Sequence, residues 1–271
     1  MKRQLMAAAA ILFSPFGADD ALADDETSTP VVVSGNASVV SDYVFRGLTQ
    51  TWARPAVQGG VEATAGGFVA GAWGSSVSEH SYPGGTMELD LYASYGRAID
   101  DDWSWRTGVY GYLYPGANLD QARLPARSFT TVEANASVSW KRLTLKYSRA
   151  ATDYFGADRE QGYTGSTRGT GYLQLDASLP LADRWSMDLH AGRTRYRRSL
   201  AQPLPSGERN PSYSDYGVTL KYQAGERWSV ALGLTHATNG DFYRRTSSFI
   251  RAGEYRHAGG TRAFVALQRT F

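Results

Sequence analysis

The chain has 271 residues, a formal net charge of +2 and no cysteine, so its stability cannot rest on disulfides. It contains no stretch of about 18 apolar residues, which excludes a transmembrane helix. Gly (29) and Tyr (17) are abundant and only 20% of residues are charged, a composition typical of a β-rich chain. Basic charge is concentrated near the C-terminus, where residues 193–271 hold 13 Lys and Arg against 5 Asp and Glu.

The N-terminal residues are typical of a secretory signal peptide. Lys2 and Arg3 precede a short apolar run, and Ala21–Ala23 supplies a small-x-small cleavage motif. The apolar run is shorter than the roughly 20 residues that span a bilayer. We therefore predict that residues 1–23 are removed on export, that residues 24–30 form a flexible polar lead, and that residues 31–271 form a β-barrel.

The remainder of the chain alternates between apolar and polar residues, the period of a β-strand with two different faces. Met87, Leu89 and Leu91, for example, alternate with Glu88 and Asp90. The alternation predicts twelve strands, at Val31–Gly47, Val57–Ala65, Phe68–Val77, Thr86–Gly96, Trp103–Tyr114, Phe129–Trp140, Leu143–Tyr154, Gly169–Leu181, Trp185–Arg198, Tyr213–Tyr222, Trp228–Thr238 and Gly260–Phe271.

The connections between these strands alternate in length. Short ones are Gly66-Gly67, Arg97–Asp102, Lys141-Arg142, Ala182–Arg184 and Gln223–Arg227. Long ones are Leu48–Ala56, Ser78–Gly85, Pro115–Ser128, Phe155–Arg168, Ser199–Ser212 and Asn239–Gly259. An even strand number with short turns at one end and long loops at the other is typical of bacterial outer-membrane barrels. The predicted fold is therefore all-β, a twelve-stranded antiparallel transmembrane barrel integral to the outer membrane, with both chain ends on the periplasmic side.

Aromatic residues favour the same interpretation. Four tryptophans lie beside short turns, at Trp103, Trp140, Trp185 and Trp228. Tyr and Phe residues collect at the other strand ends: Tyr43, Phe45, Tyr112, Tyr114, Tyr154, Phe155, Tyr213 and Tyr243. We expect two girdles at the membrane–water boundaries. A strand of about 11 residues tilted by about 45° rises about 26 Å, which matches the apolar band of such barrels. The alternative, a soluble β-sandwich with the apolar face inside, explains neither the girdles nor the connections.

Several stretches resemble the TorF-type porin family of Gram-negative bacteria. They include "VVSDYVFRGLTQT", "GFVAGAWGSSV", "ELDLYASYG", "YGYLYPG", "LTLKYSRAATDYFG" and "GTGYLQLDASLPLADRWSMDLHAG", and their order covers essentially all of the predicted mature chain. The resemblance implies an outer-membrane barrel with a channel role, without catalytic residues. It also implies that the terminal aromatic Phe271 is a signal read by the barrel-assembly machinery.

In a barrel the polar strand faces line the lumen. Residues predicted to line the pore are Arg46, Glu62, Glu88, Asp90, Arg106, Glu133, Lys146, Asp176, Asp188, Lys221 and Arg262, with Asp42 and His190 on the same faces. Twelve strands lie between barrels filled by side chains and barrels with an open aqueous channel. The main prediction is a narrow charged pore for passive diffusion of small hydrophilic solutes. The alternative is a salt-bridged interior that makes a closed structural barrel.

A second group of charges is predicted at the outer rim. It consists of Arg193, Arg195, Arg197, Arg198, Arg244, Arg245, Arg251 and Arg256. Because guanidinium groups pair well with phosphate, binding of lipopolysaccharide is the favoured role for this basic patch. Steering of anionic solutes to the pore mouth is the alternative.

The stretch "THATNG" raises an enzymatic alternative. His236 and Thr238 resemble the His-x-Ser pair of outer-membrane phospholipases and lipid A deacylases, and both fall on the lipid-facing side of their strand. A histidine next to a hydroxyl can act as its general base. Against this, the nucleophile is a threonine and no residue is identifiable that would orient His236, so we predict that the protein is not an enzyme.

The sequence predicts few other ligands. The four histidines (His80, His190, His236 and His257) lack metal-ligand spacing, so neither a metal nor a cofactor is expected. No motif points to nucleic acid. The expected partners are outer-membrane lipids and lipopolysaccharide, small hydrophilic solutes and the barrel-assembly machinery.

Overall fold

The computed structural model describes residues 30–271. The predicted signal peptide and nearly all of the polar lead therefore lie outside the described residues. Strands are numbered in chain order: β1 (Val32–Val40), β2 (Val44–Phe45), β3 (Leu48–Thr49), β4 (Ala56–Ala65), β5 (Phe68–Ser76), β6 (Met87–Ala98), β7 (Trp103–Leu113), β8 (Thr131–Trp140), β9 (Leu143–Ala150), β10 (Gly171–Ala182), β11 (Trp185–Arg195), β12 (Tyr213–Gln223), β13 (Trp228–Ala237), β14 (Thr246–Ser247), β15 (Tyr255–Arg256) and β16 (Gly260–Thr270). Helical turns are confined to the connections, at Leu119–Ala122, Tyr154–Gly156 and Gly240–Tyr243.

Twelve of these strands form one closed antiparallel barrel, in the order β1, β4 to β13 and β16. Consecutive barrel strands are neighbours throughout, and β1 closes the barrel against β16, with Asn36 opposite Thr270. Closure pairs both edges of the sheet, so no barrel strand is left with an open edge. The predicted fold class, a twelve-stranded antiparallel barrel, is confirmed.

The exterior of the barrel is apolar. Large apolar side chains face outward on every barrel strand, and several are half to two-thirds exposed, among them Val57 (66%), Leu232 (57%) and Val109 (52%). A continuous apolar surface of this kind belongs in lipid, because a soluble β-sandwich turns such faces inward. The barrel is therefore an integral membrane protein of the outer-membrane type. Among the described residues, no helix has the length and apolar character needed to cross a bilayer.

The predicted tryptophan girdle at the short-turn end is confirmed. Trp103, Trp140, Trp185 and Trp228 are each 42–43% exposed on the outer surface. The turns beside them are tight. In Gly66-Gly67 both residues have positive φ (51° and 84°), the conformation of a two-residue hairpin turn that glycine adopts without strain. This end of the barrel faces the periplasm, and the long connections face outward from the cell.

Two predicted strands end earlier than the alternation suggests. The first was expected over Val31–Gly47, but β1 ends at Val40 and the chain turns into the barrel. The seventh was expected over Leu143–Tyr154, but β9 ends at Ala150, because Asp153 organises a loop. Its carboxylate accepts hydrogen bonds from Ser166 Oγ (2.5 Å) and from the backbone N–H of Thr167 (2.9 Å).

Candidate functional site in the barrel lumen

The first long connection forms a hairpin inside the barrel. We call residues 41–55 the luminal hairpin. Its short strands β2 and β3 pair with each other, with Val44 opposite Thr49, and not with the wall. Arg46 and Gly47 form the two-residue turn, with φ of 48° and 76°. Positive φ at both positions is the requirement of a type I′ hairpin turn, and it is strained for Arg46. The alternation in "DYVFRGLT" therefore does mark extended backbone, but this backbone belongs to the luminal hairpin and not to a strand of the barrel wall.

Arg46 at the hairpin tip binds Glu133 on the wall. Its Nη1 and Nη2 donate to Glu133 Oε1 (2.9 Å) and Oε2 (2.7 Å), and Nη1 also donates to the Tyr154 hydroxyl (2.9 Å). The guanidinium carbon lies 4.1 Å from the ring centre of Tyr172. Glu133 is on β8, the sixth barrel strand, whereas the hairpin leaves from between the first and second. The hairpin therefore reaches across the lumen, held by a bidentate ion pair.

The base of the luminal hairpin is anchored by Asp42. One carboxylate oxygen accepts hydrogen bonds from Thr49 Oγ1 (2.5 Å) and Thr51 Oγ1 (3.0 Å). The other accepts from Arg262 Nη1 on β16 at 3.1 Å. These bonds turn Asp42 inward directly after β1, which is the physical reason that the first wall strand stops short.

The hairpin fits tightly against the wall at its tip. A Cβ on Gly47 would lie 2.7 Å from Asp215 Cβ and 2.9 Å from Ala237 Cβ, on β12 and β13. Further along the hairpin, the buried Trp52 stacks on His80 at 4.9 Å between ring centres. His80 in turn contacts the longest loop through Ser248 Oγ (2.9 Å). The hairpin and two outer loops therefore form one packed unit over the mouth.

Tyrosines fill the outer half of the lumen instead of forming an outer girdle. Tyr43, Tyr112, Tyr114, Tyr154, Tyr213 and Tyr243 were predicted at the membrane boundary, but all are buried, at 2–7% exposure. Phe45 and Phe155 pack against the same cluster. Tyr82 and Tyr114 stack at 4.1 Å, and Tyr92 and Tyr110 at 4.9 Å. The prediction of an outer girdle from these residues is wrong. Their side chains either point into the lumen from the wall, as those of Glu88 and Glu133 do, or belong to loops folded over the lumen.

A second polar network lies on the β10–β12 wall. His190 is placed between two carboxylates, with Nδ1 at 2.5 Å from Asp176 Oδ1 and Nε2 at 2.8 Å from Asp215 Oδ2. The Tyr172 hydroxyl donates to Asp215 Oδ2 (3.0 Å). Near the periplasmic end, Lys221 pairs with Asp188. No group of three or more His, Asp or Glu side chains within residues 30–271 is arranged to hold a metal ion.

Glu88 and Asp90 form an acid pair without a cationic partner. They lie two residues apart on the inward face of β6 and are 1% and 5% exposed. Neither makes an ion pair with a Lys, Arg or His of residues 30–271, and one oxygen of each carboxylate lacks a hydrogen-bond partner in the same range. The Tyr43 hydroxyl donates to the other oxygen of Glu88 at 3.3 Å. Buried carboxylates without a cationic partner favour the neutral, protonated form, so this pair adds negative charge to the lumen only where water reaches it.

The periplasmic half of the lumen is open to water. Inward side chains there keep part of their exposure, as with Glu62, Arg106 and Ser139, and the Asp188 side chain is 22% exposed. Glu88 at the other end is almost completely covered. The lumen is therefore accessible to water from the periplasmic side. Towards the outside it is closed by the luminal hairpin and the buried tyrosine side chains.

The structure places every residue predicted to line the pore inside the barrel. Arg46 is on the luminal hairpin, and the others are at inward positions of the wall: Glu62, Glu88, Asp90, Arg106, Glu133, Lys146, Asp176, Asp188, Lys221 and Arg262. Asp215 was not predicted to line the pore, although it lies on the same inward face of β12 as Lys221. With Asp42 and Asp215 included, eight carboxylates face the lumen against five Lys or Arg side chains and His190, so acidic groups are in the majority.

The structure does not bring His236 and Thr238 together as a catalytic pair. His236 faces outward, as predicted, and its Nδ1 lies 2.9 Å from Thr261 Oγ1. Thr238 Oγ1 accepts a hydrogen bond from the backbone N–H of Ser214 at 2.9 Å. Each side chain thus has a different structural partner, and the geometry does not favour the hydrolase alternative.

The predicted basic patch is divided between the wall and the loops. Arg193 and Arg195 are on the outward face of β11, and Arg197 and Arg198 follow in the next loop. The other four, Arg244, Arg245, Arg251 and Arg256, belong to the 238–259 loop. There Arg251 pairs with Glu254 (3.6 Å), and the guanidinium of Arg245 lies over the Tyr255 ring at 4.4 Å. The wall group and the loop group therefore have different surroundings.

Comparison with known proteins gives a family for this barrel. Residues 24–271 match a family described as "Bacterial protein of unknown function (Gcw_chp)". The chain belongs to the Gcw_chp family. No curated protein matches this Gcw_chp chain.

Solved structures similar to the Gcw_chp barrel include porins. The KdgM porin in complex with disordered oligogalacturonate has a TM-score of 0.50 and 9% identity, over 89% of this chain and 99% of that one. The NanC porin has a TM-score of 0.48 and 10% identity, over 89% and 99%. OccAB2 of Acinetobacter baumannii has a TM-score of 0.41 and 9% identity, over 92% and 66%. At this identity the likeness to KdgM shows the fold alone.

Proposed function

We propose that this Gcw_chp protein is a porin-like channel of the outer membrane, through which small hydrophilic solutes diffuse passively, and that the luminal hairpin constricts its outer mouth. The observation that carries the proposal is the luminal hairpin, which charged side chains hold across a charged lumen that is partly open to water. A barrel that only spans the membrane has no need of inward charges, which are expensive to bury. The resemblance to TorF-type porins supports the same conclusion.

The charge of the lumen bears on the solute. Inward carboxylates outnumber inward Lys and Arg, and the acid pair Glu88 and Asp90 lacks a cation. Charged rings in a narrow pore set ion preference. We therefore propose a weak preference for cations and for neutral or cationic solutes. The KdgM structure contains oligogalacturonate, an acidic sugar chain, which an acidic lumen disfavours.

Planar-bilayer conductance of the purified, refolded protein tests the proposal. In one variant Gly and Ser replace residues 44–49, which removes the hairpin tip and Arg46; in a matched control they replace residues 203–208 of a mostly exposed outer loop. We expect small channels from the wild type and the control, and several-fold larger conductance from the hairpin variant. If neither variant conducts although both show the heat-modifiable migration of folded barrels, the protein is a closed structural barrel.

Ion preference is tested in asymmetric KCl. We expect the reversal potential of the hairpin variant to indicate cation preference, and the added substitutions Glu88→Gln and Asp90→Asn to reduce it. An anion-selective reversal potential would contradict the assignment of an acidic lumen while leaving the channel itself intact.

We also propose the partners expected of such a barrel, namely outer-membrane lipids, lipopolysaccharide and the barrel-assembly machinery. Support for the last comes from Phe271, which is 62% exposed while its backbone N–H donates to the Gly35 carbonyl (2.9 Å) at the barrel seam. The terminal aromatic is thus held at the membrane-facing surface.

A further inference from the structure

A row of arginines lies on the outer wall of the barrel, at the ends of β9 and β11 that point away from the periplasm. Arg149 on β9 and Arg195 on β11 are both paired in register with Gly171 on β10, which lies between them. All three positions face outward. Because Gly171 has no side chain, the space over it between the two guanidinium-bearing strands is taken by the Tyr147 ring, whose Cε2 lies 3.1 Å from the position of the absent Cβ.

The guanidinium groups of Arg149 and Arg197 lie close together. A Cβ placed on Gly169 would lie 3.2 Å from Arg197 Nη1 and 3.4 Å from Arg149 Nη2, so both guanidinium groups border the same side-chain-free position. The Tyr147 hydroxyl lies over Gly171, at 2.6 Å from the position of its absent Cβ. The side chains of Arg149, Arg197 and Tyr147 thus place hydrogen-bond donors over two neighbouring glycines.

These cations have no acidic partner in the part of the chain that the structure describes. None of Arg149, Arg195 or Arg197 forms an ion pair there, and the outward faces of β9 to β12 carry no Asp or Glu. At the outer ends of the other barrel strands the outward positions carry no Lys or Arg, as with Val57, Val132 and Thr261. Uncompensated guanidinium groups held close together repel one another, and an anion relieves the repulsion.

The position along the strand identifies the anion. Trp185 of the periplasmic girdle and Arg195 are ten residues apart on β11, which corresponds to about 23 Å along the membrane normal for a strand tilted by about 45°. That distance is close to the apolar thickness of the outer membrane, so the row lies at the headgroup level of the outer leaflet. We propose that Arg149, Arg195 and Arg197, with Tyr147, bind a phosphate group of lipopolysaccharide on the outer wall.

This inference refines the lipopolysaccharide partner within the proposed function. It rests on the placement in the outer membrane but not on conduction. Guanidinium–phosphate contacts are bidentate and charge-assisted, and they weaken with salt. Loss of two such contacts lowers affinity by about tenfold or more.

The test measures binding of diphosphoryl lipid A to the purified, refolded protein in detergent, with Arg149→Ser/Arg195→Ser compared with Arg142→Ser/Arg227→Ser. The control removes the same charge at the periplasmic end, and heat-modifiable migration establishes that both variants are folded. We expect at least tenfold weaker binding only in the first variant, and weaker binding of monophosphoryl lipid A by the wild type. Equal binding by both variants would overturn the proposal, and so would displacement by millimolar inorganic phosphate, which would indicate a site for the free anion. Because conductance is not measured here, failure of this site leaves the channel proposal standing.

Discussion

Arg46 and Glu133 form a buried ion pair between opposite sides of the lumen, although 87 positions separate them in the chain. Their side chains are 6% and 2% exposed. The contact joins the tip of the luminal hairpin to the sixth of twelve wall strands, so it decides whether the hairpin stays seated. Because breaking a buried pair leaves one charge without compensation, this contact is expected to be sensitive to substitution of either residue.

A double-mutant cycle tests the ion pair. Arg46→Met or Glu133→Leu alone leaves a buried charge behind and is expected to lower the free energy of unfolding by about 3–5 kcal/mol. The double variant removes both charges and is expected to lose clearly less than the sum of the two single variants. Urea unfolding in lipid vesicles measures all four proteins. Additive losses would show that the two side chains do not interact.

Gly47→Ala tests the seating of the hairpin tip. The new methyl group would collide with Asp215 and Ala237, and the residue has a φ of +76°. Gly207→Ala is the matched control, since its φ is +87° but nothing lies within 4 Å of the new Cβ. Both variants carry a backbone strain of about 1–3 kcal/mol, whereas only Gly47→Ala is expected to raise single-channel conductance. Equal conductance in the two variants would mean that the hairpin tip does not close the lumen.

Tryptophan fluorescence tests which aromatic residues meet lipid. A variant that retains only Trp228, exposed on the outer surface, is expected to be quenched strongly by brominated phospholipids. A variant that retains only Trp52, which is 1% exposed within the barrel, is expected to be quenched weakly. The comparison separates a real girdle residue from a luminal one. Strong quenching of Trp52 would contradict the inward course of the hairpin.

The loop contact at His80 is expected to weaken in acid. Desolvation lowers the pKa of His80 below its ordinary value, against the opposing effect of Glu254 and with a further lowering by Arg251. The open loop binds a proton more readily, so the contact is fully stabilising above about pH 6.5. It is lost as the pH falls through the lowered pKa of the folded state.

Hydrogen exchange of the Phe249 amide measures this effect, because that amide donates to the His80 carbonyl at 3.0 Å. Exchange, corrected for the intrinsic rate, is expected to accelerate below pH 6.5 in the wild type. In His80→Gln the acceleration is expected to disappear. Retained pH dependence in the variant would assign it to another group, such as His257 in the same loop.

Much of the fold followed from local sequence pattern. Period-two alternation located all twelve wall strands, and the alternation of short and long connections set their order and orientation. Tryptophans beside short turns marked the periplasmic boundary. These features are local, since each strand must turn one face to lipid and the other to the lumen whatever its neighbours are.

The alternation of apolar and polar residues alone could not distinguish a wall strand from a hairpin inside the barrel. "DYVFRG" alternates like a wall strand, and only the bonds of Asp42 to Thr49, Thr51 and Arg262 show that it leaves the wall. The tyrosines were misplaced for a similar reason. An aromatic ring at a strand end suits either a membrane boundary or a packed lumen, and its surroundings decide between them.

The sequence by itself determined that the chain is a twelve-stranded barrel with an apolar exterior and a charged interior, because side-chain alternation is a property of each strand. Only the tertiary structure decided that Arg46 meets Glu133, that the outer half of the lumen is filled, and that Arg149 and Arg197 converge on the outer wall beside the strand of Arg195. Those contacts depend on strand register and on the path of a loop across the barrel. Both arise from closure of the whole sheet, which no single segment encodes.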